Sequence, residues 1–155
     1  MTHKKIGVIS DTHGLFRETL KDLFNGVELI IHAGDIGDER VILELNNIAH
    51  TVAVYGNADN INIRYNYPKT KHITYSEHNI YLLHNLEWLD IDPITARIDM
   101  VVFGHTHIPE ISYRDGILFL NPGSAGHKRA QKPVSVAIVE VSKKGLKPRL
   151  IEIEP

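Results

Sequence analysis

The sequence predicts an α+β domain with an α/β-like first half, built as two packed β-sheets flanked by helices. Three observations carry this. The first third of the chain alternates short apolar runs with stretches of helical spacing, joined by short connections. The rest is mostly apolar runs separated by turn signals. The 155 residues are 43% hydrophobic and 23% charged, enough for a substantial core in a single domain spanning 1–155.

Lys5 to Ser10 reads as a buried strand and Leu15 to Asn25 as a helix with Leu20, Leu23 and Phe24 inward, closed by Asn25-Gly26. Glu28 to His32 is a second strand, Asp38 to Ile48 a helix through Val41, Ile42, Leu45 and Ile48, and Thr51 to Tyr55 a third strand. This βαβαβ order calls for a parallel sheet. Lys71 to Ser76 and Asn79 to His84 are adjacent strands around Glu77-His78. Trp88 to Arg97 is a short helix or an irregular segment, interrupted by Pro93. Asp99 to Phe103 is again a buried strand, Glu110 to Tyr113 and Ile117 to Leu120 a hairpin around Arg114-Asp115-Gly116, and Val134 to Val141 and Leu146 to Ile153 a closing pair. No linker, repeat or low-complexity tract interrupts them.

The net charge of −2 leaves no basic footprint for nucleic acid. The apolar run after Met1-Thr2-His3-Lys4-Lys5 is too short for a signal peptide or a membrane span, so a soluble cytoplasmic protein is expected. With no cysteine, disulfides and thiolate metal sites are excluded, and any metal must take nitrogen and oxygen ligands.

Four apolar runs stop at the same kind of residue. They lead into Ser10-Asp11-Thr12-His13-Gly14, Gly34-Asp35-Ile36, Tyr55-Gly56-Asn57-Ala58-Asp59 and Gly104-His105-Thr106-His107. His84 closes another run. Ligands of open α/β sheets gather beyond the carboxyl ends of strands. Each piece has a plain alternative: Asp11 as a helix cap, Asn57-Ala58-Asp59 as an Asx turn, His84 as a satisfied histidine under a loop. Together they read as a metal site. Of the ten histidines, His13, His84, His105 and His107 have this setting, whereas His3, His32, His50, His72, His78 and His127 read as structural or solvated. Mixed carboxylate, imidazole and amide donors suit manganese, iron, zinc, cobalt or nickel as divalent ions. Asp11, His13, Asp35, Asn57, His84, His105 and His107 are too many for one open metal and suit two metals about 3.5–4 Å apart that share a carboxylate. Gly14, Gly34, Gly56 and Gly104 flank them, where tight turns or close backbone approach would be needed.

These motifs, in this order, resemble the calcineurin-like metallophosphoesterases, and Asn121-Pro122-Gly123-Ser124 resembles the small prokaryotic YfcE-type phosphodiesterase branch. The resemblance implies a four-layer αββα sandwich of two mixed sheets with helices on both outer faces. It implies a first metal held by Asp11, His13, Asp35 and His107, and a second completed by Asn57, His84 and His105, with Asp35 bridging. The implied chemistry is phosphodiester hydrolysis at a dinuclear centre, by in-line attack of a metal-bridging hydroxide on a small phosphoester, with manganese the first metal expected. Asn57 would serve both as ligand and as hydrogen-bond donor to a phosphoryl oxygen. Asn121, Ser124 and Arg129 would meet the substrate phosphate.

The chain departs from the family pattern in two places. Ala58 stands where many larger members carry a proton-donating histidine, although the YfcE-type branch also lacks it. His84-Asn85-Leu86 replaces the usual His-Gly-His, and the stretch to His105 is shorter than usual and holds Trp88 and Pro93, which would reshape the substrate pocket. An alternative is a non-catalytic interaction scaffold, because the family includes a retromer subunit of the same fold. Retention of all seven ligand residues favours catalysis. Trp88 and the run Tyr65 to Tyr67 either pack locally or face a partner, which leaves a homo-oligomer open.

Overall fold

The computed structural model describes residues 4–154, so His3 lies outside the described residues. The chain runs through β1 (Lys4–Ile9), α1 (Leu20–Leu23), β2 (Leu29–His32), α2 (Glu39–Asn46), β3 (His50–Ala53), α3 (Ile61–Asn66), β4 (Thr70–Tyr75) and β5 (His78–Leu83). It continues through β6 (Met100–Val102), β7 (Glu110–Arg114), β8 (Ile117–Asn121), β9 (Val134–Ser142) and β10 (Gly145–Ile153). One sheet has the order β10-β9-β1-β2-β3 and the other β4-β5-β6-β8-β7.

Both sheets are mixed, and each contains three consecutive parallel strands. These are β1, β2 and β3 in the first sheet and β5, β6 and β8 in the second. The other pairings are antiparallel. The period-two alternation of each strand sends one set of side chains between the sheets. Ile6 and Val8 of β1 and Leu29 and Ile31 of β2 meet Ile80 and Leu82 of β5, Met100 and Val102 of β6, and Leu118 and Leu120 of β8. Each side chain fully buried there stabilises the fold by about 1.5–3 kcal/mol. The packing also fixes the carboxyl ends of six parallel strands.

The outer face of the first sheet is covered by Leu20 and Phe24, by Val41, Ile42 and Leu45 of α2, and by Ile63 of α3. Helix α2 has a β-region N-cap, Asp38, whose carboxylate accepts the Arg40 N–H at 2.9 Å. The helix expected over Leu15 to Asn25 is corrected to the single turn Leu20–Leu23. Residues ahead of it turn irregularly, because the Arg17 guanidinium reaches across to the carbonyls of Ala125 and Gly126 at 3.2 and 2.8 Å. Helix α3 was not foreseen, since Ile63 is its one buried side chain and leaves no apolar period to read. Its start is nonetheless encoded: the Asn60 side chain caps the Ile63 N–H at 3.0 Å.

The outer face of the second sheet carries less helix than that of the first. Tyr81, Leu83, Val101, Phe103 and Phe119 are covered there by Leu86, Trp88, Leu89 and Ile91, carried on a 3-10 helix (Leu86–Trp88) and turns. The segment between β5 and β6 is short and contains Pro93, which denies an α-helix its interior hydrogen bond. Among the described residues no helix is long and apolar enough to cross a membrane.

Candidate metal centre

The strand ends of the two sheets converge at one edge of the sandwich. The loop after β1 carries Asp11 and His13, the loop after β2 carries Asp35, and the loop after β3 carries Asn57. From the second sheet come His84, after β5, and His105 and His107, after β6. Backbone hydrogen bonds lace these loops together: Asp11 N–H to Gly34 C=O, His13 N–H to Asp35 C=O, and Gly104 N–H to His84 C=O, at 3.0, 3.0 and 2.9 Å.

Five of the candidate ligands close around one point. Asp11 Oδ1 lies 3.2 Å from His107 Nε2, 3.7 Å from His84 Nε2 and 3.9 Å from His13 Nε2. Asp35 Oδ2 lies 3.3 Å from His84 Nε2 and 3.7 Å from His13 Nε2. Two triads, Asp11-His13-His107 and Asp11-Asp35-His84, each gather their ligand atoms within the span of a metal ion. The triads share Asp11, whereas the resemblance gave the shared role to Asp35. Asp35 does sit between His13 and His84, so each carboxylate reaches imidazoles assigned to both metals. Asn57 and His105 lie at the exposed rim, paired Oδ1 to Nδ1 at 3.1 Å, with the His105 ring 5.3 Å from that of His84.

Each carboxylate is fixed by one oxygen and free at the other. Asp11 Oδ2 accepts from Ser10 Oγ at 2.9 Å and from the His105 N–H at 3.1 Å. Asp35 Oδ1 accepts the Ala58 N–H at 2.8 Å. The remaining oxygens, Asp11 Oδ1 and Asp35 Oδ2, face the imidazoles. His84 uses Nδ1 on the Ala33 carbonyl at 2.8 Å and turns Nε2 inward. Asp11 Oδ1, His13 Nε2 and His84 Nε2 are buried without a hydrogen-bond partner. Acceptor atoms aimed at one another in a dry site are costly unless a cation lies between them. The donor set is hard oxygen plus imidazole and fits divalent transition ions.

Without a metal the charges lean on each other. Burial pushes the Asp35 carboxyl up, but the His84 imidazole, the Ala58 N–H and His13 outweigh it and hold it at about 2. Burial likewise opposes ionisation of Asp11, and His107, His84 and Ser10 overcome it, so its pKa falls below the usual value. Burial would lower that of His84, but Asp35 and Asp11 raise it.

The backbone is bent to fit this cluster. Asp11, His13, Asp35, His105 and His107 all have left-handed φ, at 55°, 47°, 57°, 74° and 63°. Each such non-glycine residue costs on the order of 1 kcal/mol or more and persists only where its surroundings hold it. Gly56 and Gly104 allow the close approach. A Cβ on Gly56 would fall 2.2 Å from Asp35 Oδ1, and one on Gly104 would fall 2.1 Å from Ser10 Oγ.

Other residues expected in the site have different surroundings. Asn121 and Ser124, expected to meet the phosphate, are buried. Their polar atoms hold loops: Asn121 Nδ2 donates to the Gly104 carbonyl at 3.1 Å and to Thr106 Oγ1 at 3.0 Å, and Ser124 Oγ donates to the Asp11 carbonyl at 3.2 Å. Arg129 is exposed on the following loop.

Two supporting residues escaped the sequence reading. Buried Asp59 accepts the N–H groups of Ile36, Gly37 and Gly56 at 3.1, 2.8 and 2.9 Å, tying the Asp35 loop to the Asn57 loop. Its only sequence signal was its place two residues after Asn57. His32, read as structural or solvated, is fully buried behind the site. Its Nδ1 accepts the Gly34 N–H at 3.1 Å, so Nε2–H donates to Thr12 Oγ1 at 2.9 Å, and Thr12 in turn donates to the Ile36 carbonyl at 2.9 Å.

Residues 5–144 match the model of the calcineurin-like phosphoesterase superfamily domain. The chain belongs to this superfamily. It is 36% identical over 132 residues to a probable metallophosphoesterase of Methanocaldococcus jannaschii, covering 77% of this chain and 67% of that one. It is 27% identical to phosphodiesterase YfcE of Escherichia coli, covering 88% of this chain and 87% of that one. Among solved structures it is similar to a novel archaeal phosphodiesterase, with TM-score 0.76, 25% identity and coverage of 96% and 99%. Vacuolar protein sorting 29 of Cryptosporidium parvum shares the fold at TM-score 0.76 and 18% identity, over the whole of both chains.

Asp59→Asn keeps the side-chain volume but turns one acceptor oxygen into a donor facing backbone N–H groups. It is expected to weaken divalent-metal binding by about 10–100-fold, as removal of an outer hydrogen bond to a metal site does. Isothermal titration calorimetry reads this directly, and an unchanged affinity would contradict the role assigned to Asp59. A second expectation concerns pH. Burial lowers the His32 pKa from 6.5 to about 4. Its contribution is therefore full above pH ~6.5 and is lost as pH falls toward 4, worth about 3 kcal/mol. His84 acts in the opposite sense: its raised pKa stabilises below ~6.5 and loses effect as pH rises through the folded value. In urea unfolding of metal-free protein, His32→Gln should flatten the acid limb relative to wild type. Parallel acid limbs would rule out the His32 contribution.

Proposed function

We propose that this chain is a metal-dependent phosphodiesterase acting on small phosphodiesters through a dinuclear centre. The observation that carries the reading is the arrangement of Asp11 and Asp35. Each is clamped by protein donors at one oxygen and turns the other, among inward-facing imidazole nitrogens, toward a common point. Two divalent cations, when bound, would neutralise the phosphate charge and supply the hydroxide for in-line attack on phosphorus. Asp11, His13, Asp35 and His107 would hold the first, and Asp35, Asn57, His84 and His105 the second. Manganese is our first choice, with nickel, zinc, iron and cobalt compatible with the same donors.

The chain's own groups do the positioning. Asp59 and His32 set the loop geometry before any ligand arrives. Asn57 stands at the exposed rim, where its amide can reach both a cation and a phosphoryl oxygen. Ala58 offers no proton for the departing alcohol. General acid help is worth about 10²–10⁴-fold, so leaving groups that depart as stable anions are the favoured class. The scaffold alternative has only the shared fold in its favour, and fold does not imply function.

A chromogenic phosphodiester assay with Mn²⁺ or Ni²⁺ tests the reading. Wild-type protein should show metal-dependent hydrolysis abolished by chelator, and Asp35→Asn should lose it almost entirely. Absence of metal-dependent turnover, or full activity in Asp35→Asn, would contradict the proposal.

A further inference from the structure

Beside His84 the structure builds a wall of two aromatic rings and two cations that the metal chemistry does not use. The wall follows from the segment in which this chain departs from its family. Asn85 starts the 3-10 helix Leu86–Trp88 by accepting the Glu87 N–H at 3.0 Å. That turn sets the half-buried Trp88 indole against Leu83 and its neighbours, with its ring centre 6.1 Å from that of His84. Tyr55, just ahead of Gly56 and Asn57, continues the wall at 6.3 Å from Trp88.

A cation lies over each ring. Lys69 Nζ is 4.9 Å from the centre of Trp88, and the Arg64 guanidinium is 5.3 Å from that of Tyr55. Arg64 is committed to the site backbone, donating to the Asn57 carbonyl at 2.7 Å and the Asp59 carbonyl at 2.9 Å. Lys69 is exposed, and among the described residues it has no ion-pair partner. The rings thus run from Tyr55 through Trp88 to His84, and the partly exposed Trp88 indole lies under an ammonium with donors to spare.

We infer that Trp88 and Lys69 form a subsite for a nucleobase, so that the preferred substrates are small phosphodiesters with a nucleoside arm. This rests on the phosphodiesterase reading above. With the exposed Lys69 side chain swung off the ring face, a base lays its flat π-face on the indole and offers carbonyl or ring-nitrogen acceptors at its edge to the ammonium. A plain aryl group offers only the first of these, and a second phosphate only an anion. A nucleic acid polymer does not fit, because a polyanion needs a basic track and the chain carries a net charge of −2.

Trp88 is the only tryptophan in the chain, so its emission reports on this subsite alone. With Zn²⁺ present, titration with thymidine 5′-monophosphate should quench Trp88 emission saturably, and glycerol 3-phosphate should not. Lys69→Gln, a surface change, should weaken the thymidine 5′-monophosphate titration severalfold. In turnover, two esters with the same p-nitrophenolate leaving group are compared, one with a thymidine 5′-phosphate arm and one with a methyl phosphate arm. Trp88→Ala should lower the ratio of their kcat/KM values by about tenfold or more, mainly through KM of the nucleotidyl ester, and Trp88→Phe should restore most of it. Equal quenching by both phosphates, or a ratio unmoved in Trp88→Ala, would overturn the subsite. Absence of turnover on either ester would overturn the phosphodiesterase reading instead, while the fluorescence titration would still decide the subsite.

Discussion

Two sheets packed face to face hold Asp11, from one, within reach of His84 and His107, from the other, and most of the site's architecture answers to that contact. The three parallel strands of each sheet end at the same edge, so every loop that leaves them meets the others there. Bringing two buried carboxylates and three imidazoles together leaves acceptor atoms without partners. The loops then need a cation in the middle and donors at the back. Ser10, the His105 N–H and the Ala58 N–H are those donors, and the left-handed backbones of five candidate ligands are the strain that this geometry stores.

The same contact explains what surrounds the centre. Asp59 and His32 lie one layer behind it and bond mostly to backbone groups of the metal-site loops. Asn121 and Ser124 do the same from the second sheet, holding the carbonyls of Gly104 and Asp11. Buried, they brace these loops. The exposed rim is left to Asn57, His105 and the wall of Tyr55 and Trp88.

Much of this was legible in sequence because strands and ligands carry local signals. The parallel strands are short apolar runs, and candidate ligands follow five of them, so the residues that the structure gathers into two Asp/His triads, Asp11, His13, Asp35, His84 and His107, stood out before their geometry was known. What was not legible depends on distance along the chain. Asp59 serves N–H groups from residues more than twenty positions away, and nothing beside it in sequence says so. The helix expected from Leu15 gave way because Arg17 is drawn to carbonyls at Ala125 and Gly126. Helix α3 buries one side chain, too few for a period. The place of Trp88 in the wall rests on a turn of 3-10 helix that hydropathy does not encode.

The central claim is that Asp11 and Asp35, with their imidazoles, form a two-cation site and are not merely a buried ion-pair network. Native mass spectrometry of the purified chain, stripped by chelator and reloaded with Mn²⁺ or Zn²⁺, counts the ions directly. The account predicts two ions per chain, with the second lost in His84→Ala while the first is kept. A chain that takes up no ion, or that still takes up two in an Asp11→Asn, Asp35→Asn double variant, would contradict it.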